Sequence, residues 1–184
     1  AGMHSGNEDL KQRSYWGDSV APAPAIEPRA LPASVEVAII GGGITGLSAA
    51  RALARRGIGV AVLEARTLGW GASSRNGGMV LTGLKLGEAT LLARYGRDLA
   101  RALHRASVDA VGLVERLIVA ESIDCGFRRS GHLALASKRA HYDYYIRAAE
   151  RLAREFSHPV RLVPATQLRE EIGSDIYHGG LVDE

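Results

Sequence analysis

The sequence predicts an α/β fold in which a Rossmann-type unit is followed by part of an α+β domain. A short, β-branched apolar run at 35–40 stops at three consecutive glycines. A helical pattern at 44–56 follows, and a second apolar run at 59–63 ends in Glu64. Such runs are typical of parallel strands buried on both faces. Strand, helix and strand within roughly 30 residues form a βαβ unit.

The composition is that of an ordinary globular protein, with 46% hydrophobic and 23% charged residues. The arginines are spread over predicted helices, and no basic run is interleaved with aromatic residues, so we expect no nucleic-acid partner. No stretch is apolar enough to predict a membrane span. The single cysteine, Cys125, excludes an internal disulfide, and we expect it to be a small buried residue. This cysteine usage fits a cytoplasmic location.

Further elements follow from residue types and periodicity. Residues 1–33 are polar and then Pro/Ala-rich, which predicts a non-helical arm on the domain surface. The downstream pattern predicts one or two helices at 86–121, with weak points at Gly96 and Gly112. It then predicts a strand at 132–136, a helix at 138–157 and a strand at 160–163. A short helix follows, capped by Thr166 and ending at Ile172. The histidines have no metal-ligand spacing, so we predict no metal site. The last residues, 179–184, do not resemble a domain end, which predicts a chain cut in mid-fold.

The pattern Gly41-x-Gly43-x-x-Gly46 lies between the first predicted strand and the helix. Gly41 permits a tight turn, Gly43 lets a pyrophosphate approach the backbone, and Gly46 lets the helix pack on the strand. The helix N-terminus at Ile44 and Thr45 offers N–H groups and a positive dipole end to phosphates. The Thr45 hydroxyl either contacts the ligand or helps to start the helix. The spacing therefore predicts a dinucleotide site.

An acidic residue, Glu64, ends the second strand about 20 residues after the glycines. A carboxylate there accepts hydrogen bonds from a ribose hydroxyl and disfavours the 2′-phosphate of NADP. We include the adjacent Ala65 and Arg66 in the predicted nucleotide site. Both NAD and FAD use such a unit, so these residues leave the choice between them open.

The segment Gly69–Met79 (Gly-Trp-Gly-Ala-Ser-Ser-Arg-Asn-Gly-Gly-Met) indicates which dinucleotide is bound. Here the chain resembles the D-amino-acid oxidase superfamily of FAD enzymes, in particular the glycine oxidase, sarcosine oxidase and gamma-glutamylputrescine oxidase branch. Ser14-Tyr15-Trp16 resembles an N-terminal arm of the putrescine-type members, and residues 124–131 resemble their segment leading into the second domain. The resemblance covers most of the chain but only about the first half of a family member.

The resemblance implies that FAD is the cofactor, with Gly41, Gly43 and Gly46 at its pyrophosphate and Glu64 at its adenosine ribose. It also implies a loop along the ribityl chain and flavin, formed by Gly71, Ala72, Ser73, Ser74, Arg75, Asn76, Gly77, Gly78 and Met79. Arg75 either pairs with phosphate or is a surface arginine. Asn76 and Gly77 are expected to offer backbone N–H groups near the flavin. Trp70 is either part of this site or a packing residue.

The implied domains are the arm at 1–33, an FAD-binding domain at 34–125 and the beginning of a substrate-binding domain at 126–184. We expect a C-terminal half, in the same chain or as a separate polypeptide, to complete the flavin site and the substrate pocket. The implied reaction oxidises the CH–NH bond of an amine or amino acid to an imine, with O₂ taking the electrons. A dehydrogenase that uses a quinone or carrier, and a non-catalytic FAD-binding subunit, are the alternatives. No catalytic residue is assigned, because hydride transfer needs orientation more than an acid–base pair.

Overall fold

The computed structural model describes residues 14–20 and 31–184. These residues divide into two compact units, with the boundary between Met79 and Val80. The expected boundary at 125/126 instead falls inside the second unit, because the long helix before it packs against a later helix of that unit. The Pro/Ala-rich part of the expected arm, at 21–30, lies outside the described residues.

The first unit contains the predicted βαβ arrangement. Its elements are α1 (Tyr15–Ser19), β1 (Val37–Ile40), α2 (Ile44–Ala54), β2 (Val60–Leu63) and a 3₁₀ turn at Ala72–Ser74. The strands pair in parallel, with Val37 opposite Val60 and Ile40 opposite Leu63. The predicted strand–helix–strand order is therefore confirmed, whereas the non-helical arm is wrong at α1. That helix forms because Ser14 caps it, accepting a hydrogen bond from Gly17 N–H at 3.2 Å.

A glycine ends α2. Gly57 has φ +78, a left-handed conformation that a side chain disfavours. The Gly57 N–H donates to Ala54 O at 2.9 Å, and the Ile58 N–H donates to Leu53 O at 3.2 Å. This pair of bonds is a Schellman motif, in which a left-handed glycine ends the helix.

The two parallel strands are less buried than their apolar sequences predict. Ile40 is 90% exposed, and Leu63 is also exposed. The prediction of strands buried on both faces is therefore wrong for the described residues. The reason is that α2 is the helix that packs on this two-stranded sheet, and a parallel sheet needs cover on both faces.

The second unit combines helices with an antiparallel sheet. It contains α3 (Glu88–Ala120), β3 (His132–Leu135), α4 (Arg139–Phe156), β4 (Arg161–Pro164), a 3₁₀ turn (Ala165–Gln167), α5 (Leu168–Glu171) and β5 (Gly179–Asp183). The strand order is β3-β5-β4, and Val163, Leu168 and Val182 form a buried core on it. Thr166 lies inside the 3₁₀ turn and does not cap α5, which begins after Gln167 without a side-chain cap. Among the described residues, no helix is both long and apolar enough to span a membrane.

The central strand, β5, is not predicted by the apolar pattern, because it begins with two glycines. A Cβ on Gly179 would overlap the Tyr142 ring, and one on Gly180 would lie 2.7 Å from Leu133 Cδ1. Larger side chains are thus excluded at these two positions of β5, which pack against α4 and β3. The predicted strands β3 and β4 are present, and β5 pairs with both of them in one antiparallel sheet.

Helix α3 is interrupted at Gly96, one of the two predicted weak points, which has φ 73 and ψ 170. Gly112, the other weak point, stays helical. Leu91 is buried before the interruption, and Ala100 and His104 are buried beyond it, whereas Tyr95 and Leu99, next to the interruption, are exposed. The break therefore changes which face of α3 packs against the unit.

A buried carboxylate links α3 to α4. Glu155 on α4 is 7% exposed and lies 3.0 Å from Arg97 Nε and 3.8 Å from Arg101 Nη2. A hydrogen bond from Arg154, together with these guanidinium charges, lowers the pKa of Glu155. Cys125, in contrast, is exposed in the loop between α3 and β3, so the expectation that it is buried is wrong.

Candidate cofactor-binding site

The turn between β1 and α2 depends on two glycines for its shape. Gly41 has φ +101, and its N–H donates to Leu63 O at 2.8 Å, which ties the turn to β2. A Cβ on Gly46 would overlap Gly41 O and lie 3.2 Å from Ile39 Cγ2. Gly46 therefore brings the first turn of α2 directly onto the backbone of the preceding strand.

The N-terminus of α2 faces the loop at 71–79. Gly43 is the N-cap residue, with φ −84 and no side-chain cap. The Ile44 N–H donates to Ser73 Oγ at 2.9 Å, and a Cβ on Gly43 would lie 2.9 Å from the same oxygen. Absence of a side chain at Gly43 thus keeps the backbone of this helix end accessible to a hydroxyl or phosphate oxygen. Thr45 is exposed in the first turn of the helix.

The Glu64 side chain is hydrogen-bonded to the glycine turn at Gly42. Its Oε2 accepts from Gly42 N–H at 2.7 Å, and its Oε1 accepts from Arg66 N–H at 2.9 Å. The Gly42 bond is the main cause, and the Arg66 bond the second, of a pKa lowered below the usual value. The carboxylate is therefore ionised at neutral pH. Each of its oxygens has a further lone pair for a ligand hydroxyl, and Ala65 lies exposed beside it.

Gly42 is a site residue that the motif does not identify, because the spacing treats its position as variable. It is buried, and a Cβ there would lie 2.6 Å from Leu68 Cδ2 and 3.3 Å from Glu64. The shape of the turn therefore requires glycine at Gly42 as well as at Gly41. The triple glycine in the sequence is the signal that could have indicated this.

The Asn76 side chain organises the loop at 71–79. Its Nδ2 donates to Ala72 O and to Ser73 O, both at 3.0 Å, and its Oδ1 accepts from Gly78 N–H at 2.7 Å. The side chain thus closes the loop on itself, a task in addition to the expected backbone one. Gly77 follows it, and Met79, at the end of the loop, is exposed.

Trp70 and two arginines form a cluster beside this loop. Arg75 Nε donates to Trp70 O at 2.9 Å, and the Arg75 guanidinium carbon lies 4.7 Å from the Trp70 ring centroid. The Arg66 guanidinium carbon lies 3.9 Å from the same centroid. Both cations are therefore held at the site by cation–π contact. The Trp70 ring thus contacts the guanidinium groups of both Arg66 and Arg75.

Helix α1 lies on the other side of the same loop. Ser14 Oγ donates to Ser74 Oγ at 3.2 Å, and Trp16 Nε1 donates to Asn76 O at 2.9 Å. A Cβ on Gly78 would overlap the Trp16 indole. The Ser14-Tyr15-Trp16 motif is visible in the sequence, but no pattern there predicts its contacts with the loop.

The structure brings the three predicted segments together. Ser73 joins the loop to the helix N-terminus, and Glu64 joins the second strand to the glycine turn. Backbone N–H groups, one carboxylate and two guanidinium groups fit the phosphates and ribose of a dinucleotide. Among residues 14–20 and 31–184, no group of three or more His, Cys, Asp or Glu side chains is placed to hold a metal ion.

Comparison with known proteins agrees with this chemistry. Residues 36–184 match the family model DAO, described as FAD dependent oxidoreductase. The chain is 34% identical over 172 residues to the probable oxidoreductase OrdL of Haemophilus influenzae, covering 93% of this chain and 40% of that protein. It is 34% identical over 148 residues to gamma-glutamylputrescine oxidoreductase of Escherichia coli, covering 80% of this chain and 34% of that protein.

Two solved structures have the same fold. Glycine oxidase from Bacillus cereus superimposes with a TM-score of 0.59 at 24% identity, over 82% of this chain and 38% of the enzyme. L-proline dehydrogenase from P. horikoshii gives a TM-score of 0.59 at 24% identity, over 83% of this chain and 37% of the enzyme. The chain thus spans well under half the length of these relatives.

Proposed function

Since the chain belongs to the DAO family of FAD-dependent oxidoreductases, we propose that it is the nucleotide-binding part of an enzyme that oxidises a CH–NH bond. The substrate is an amine or amino acid, and the product is an imine. The observation that carries this proposal is the joining of the glycine turn, Glu64 and the loop at 71–79 by hydrogen bonds from Gly42 and Ile44. The E. coli gamma-glutamylputrescine oxidoreductase, a relative at 34% identity, supports an amine as the substrate class.

Each segment of the site has a proposed part in holding FAD. The turn Gly41–Gly46, with its N–H groups at Ile44 and Thr45, receives the pyrophosphate. Glu64 accepts hydrogen bonds from the adenosine ribose, next to Ala65 and Arg66. The loop from Gly71 to Met79 lines the ribityl chain and flavin. Bound FAD supplies the hydride acceptor.

Arg75 is proposed to stay at the edge of this site as a counter-charge for phosphate. Its Nε already donates to Trp70 O, and the planar guanidinium has further N–H donors for an anion. Arg66 contacts the same ring, so the two guanidinium groups together place positive charge near the proposed pyrophosphate position. This arrangement supports the phosphate-pairing role over that of an isolated surface arginine.

We propose O₂ as the electron acceptor, because the loop at 71–79 resembles that of amine and amino-acid oxidases. The remaining residues of the flavin site and the substrate pocket are proposed to come from sequence that the relatives have beyond the matched part. A cytoplasmic location is also proposed, and the use of a single cysteine supports it.

Anaerobic reduction tests the proposed function. The FAD-loaded protein, together with the sequence that the relatives have beyond the matched part, is mixed with a panel of amines and amino acids that includes gamma-glutamylputrescine, glycine and sarcosine, and visible absorbance is recorded. We expect one class of substrate to bleach the flavin, and air to restore the colour with release of H₂O₂. Bleaching without H₂O₂, but with reduction of a quinone, would replace the oxidase by a dehydrogenase. A protein that no amine bleaches would be a non-catalytic FAD-binding subunit.

A further inference from the structure

We propose that Trp16 is a positioning residue that fixes the backbone of the loop at 76–78 in the conformation that receives the flavin. This inference rests on the proposed function of that loop as part of the FAD site. It goes beyond the proposal by assigning a task to α1, which lies about 60 residues away in the chain and contains none of the predicted site residues.

The hydrogen bond from Trp16 orients a peptide group. Trp16 Nε1 donates to Asn76 O at 2.9 Å, so this carbonyl points at the indole. The peptide between Asn76 and Gly77 is planar, and in a trans peptide the N–H points away from the C=O. The Gly77 N–H is therefore directed away from α1. It is one of the groups expected to face the flavin, and Trp16 sets its direction.

The packing contact restricts the next residue. Gly78 has φ +70, and a Cβ there would overlap the Trp16 indole, with Cη2 at 2.9 Å and Cε2 at 3.0 Å. The indole thus lies directly against the bare backbone of Gly78. At the same time, the Gly78 N–H is held by Asn76 Oδ1 at 2.7 Å. Hydrogen bonding and packing together leave this short stretch one backbone conformation.

Ser14 adds a second attachment. Its hydroxyl accepts from Gly17 N–H, which caps α1, and donates to Ser74 Oγ in the loop at 3.2 Å. One side chain therefore ties the start of α1 to the 3₁₀ turn that precedes Asn76. Helix α1 is thus attached to the loop at two points, Ser74 and Asn76.

Helix α1 has no buried residue. Trp16 is 37% exposed and Tyr15 is 73% exposed. A helix with so little burial contributes little hydrophobic stabilisation. Its contacts with the cofactor loop are therefore better explained by loop positioning than by a contribution to the fold.

The first test replaces Trp16 in the FAD-loaded protein. We expect Trp16→Ala to raise the Kd for FAD on the order of tenfold, because it removes one hydrogen bond and its packing contact. The visible flavin spectrum and the flavin midpoint potential should shift with it, since the N–H donors at the flavin are reoriented. Trp16→Phe keeps an aromatic ring at Gly78 and should recover part of the affinity. Val20→Ala, at the exposed end of the same helix, should match the wild type.

The second test uses two glycines with the same backbone strain. Gly78 has φ +70 and Gly69 has φ +71, but a Cβ on Gly69 would meet nothing within 4 Å. We expect Gly78→Ala to lower the melting temperature of the protein without FAD more than Gly69→Ala does. Adding Trp16→Ala should relieve part of the Gly78→Ala effect and none of the Gly69→Ala effect.

The outcomes separate this inference from the proposed function. A wild-type protein that binds no FAD defeats the proposed function itself. A wild type that binds FAD, alongside a Trp16→Ala variant with unchanged Kd, spectrum and potential, overturns only the positioning role. A variant that loses thermal stability alone, with an unaltered flavin, also overturns it.

Discussion

Gly46 is packed so closely on the turn before α2 that a Cβ at this position would overlap the carbonyl oxygen of Gly41. The obstacle is backbone, which cannot rotate away as a flexible side chain can. Gly46→Ala should therefore lower the free energy of unfolding by about 1–3 kcal/mol, the usual cost of overpacking. FAD binding should weaken as well, because α2 must move away from β1.

The matched control for Gly46 is Gly173→Ala, since a Cβ on Gly173 would meet nothing within 4 Å. Urea unfolding and FAD titration of both variants measure the effects. If the two substitutions have equal consequences, close packing of helix on strand is not the reason for glycine at Gly46.

Gly43→Val is expected to abolish FAD binding and to leave most of the fold intact. Gly43 has φ −84, so backbone strain is not the cause. The cause is space, because a Cβ there would lie 2.9 Å from Ser73 Oγ, at the helix end proposed for the pyrophosphate. Flavin absorbance after gel filtration and far-UV circular dichroism measure the two properties. A variant that keeps one FAD per chain would place the phosphates elsewhere.

Glu64→Gln should weaken FAD binding, on the order of tenfold, because an amide loses one of the two acceptor oxygens and the negative charge. Its Oε2 and Oε1 accept from Gly42 N–H and Arg66 N–H, and the NH₂ of glutamine would face one of these donors. Isothermal titration with FAD measures the effect. Glu36→Gln, whose carboxylate accepts from Gly59 N–H at the other end of the strands, is the control.

The pH dependence of Glu64 follows from the direction of its shift. Its pKa is lowered in the folded protein, mainly by the Gly42 N–H, from an ordinary value of 4.5. Its stabilising contribution is therefore complete above pH 4.5 and is lost as the pH falls through the folded pKa. The melting temperatures of wild type and Glu64→Gln should converge on acidification. A constant difference down to about pH 3 would mean that the carboxylate contributes by shape alone.

His104 predicts a second loss of stability on acidification, in a higher pH range than the loss due to Glu64. It is 5% exposed, its Nε2 has no hydrogen-bond partner, and its ring lies 5.1 Å from that of His158. Burial, and secondly the charge of His158, lower the pKa of His104 below 6.5, while Glu88 and Asp183 oppose this shift. The contribution is complete above pH 6.5 and is lost as the pH falls through the folded pKa.

His104→Leu should remove this dependence, so its melting temperature should fall less than that of the wild type between about pH 7 and pH 5. His178→Gln, at an exposed position, is the control and should follow the wild type. Parallel curves for His104→Leu and wild type would show that His104 does not bind a proton on unfolding in this range.

The sequence pattern predicts the local structure of this chain better than its long-range contacts. The spacing of apolar residues and glycines was sufficient for β1, α2 and β2, and the break at Gly96 followed from the residue type alone. The exposure of Ile40 was not predictable in this way, because it depends on what covers the sheet. The contacts of Ser14 and Trp16 join residues 60 positions apart, and no periodicity encodes them.

The chain contains two tryptophans, Trp16 and Trp70, and both contact the loop at 71–79. One donates its indole N–H to Asn76 O, and the other accepts a hydrogen bond from Arg75 through its carbonyl. The tryptophan emission of this chain, excited at wavelengths that its six tyrosines do not absorb, therefore originates beside the cofactor loop. Quenching of that emission would follow ligand entry in real time without any attached dye, and Trp16→Phe and Trp70→Phe would assign the signal to either side of the loop.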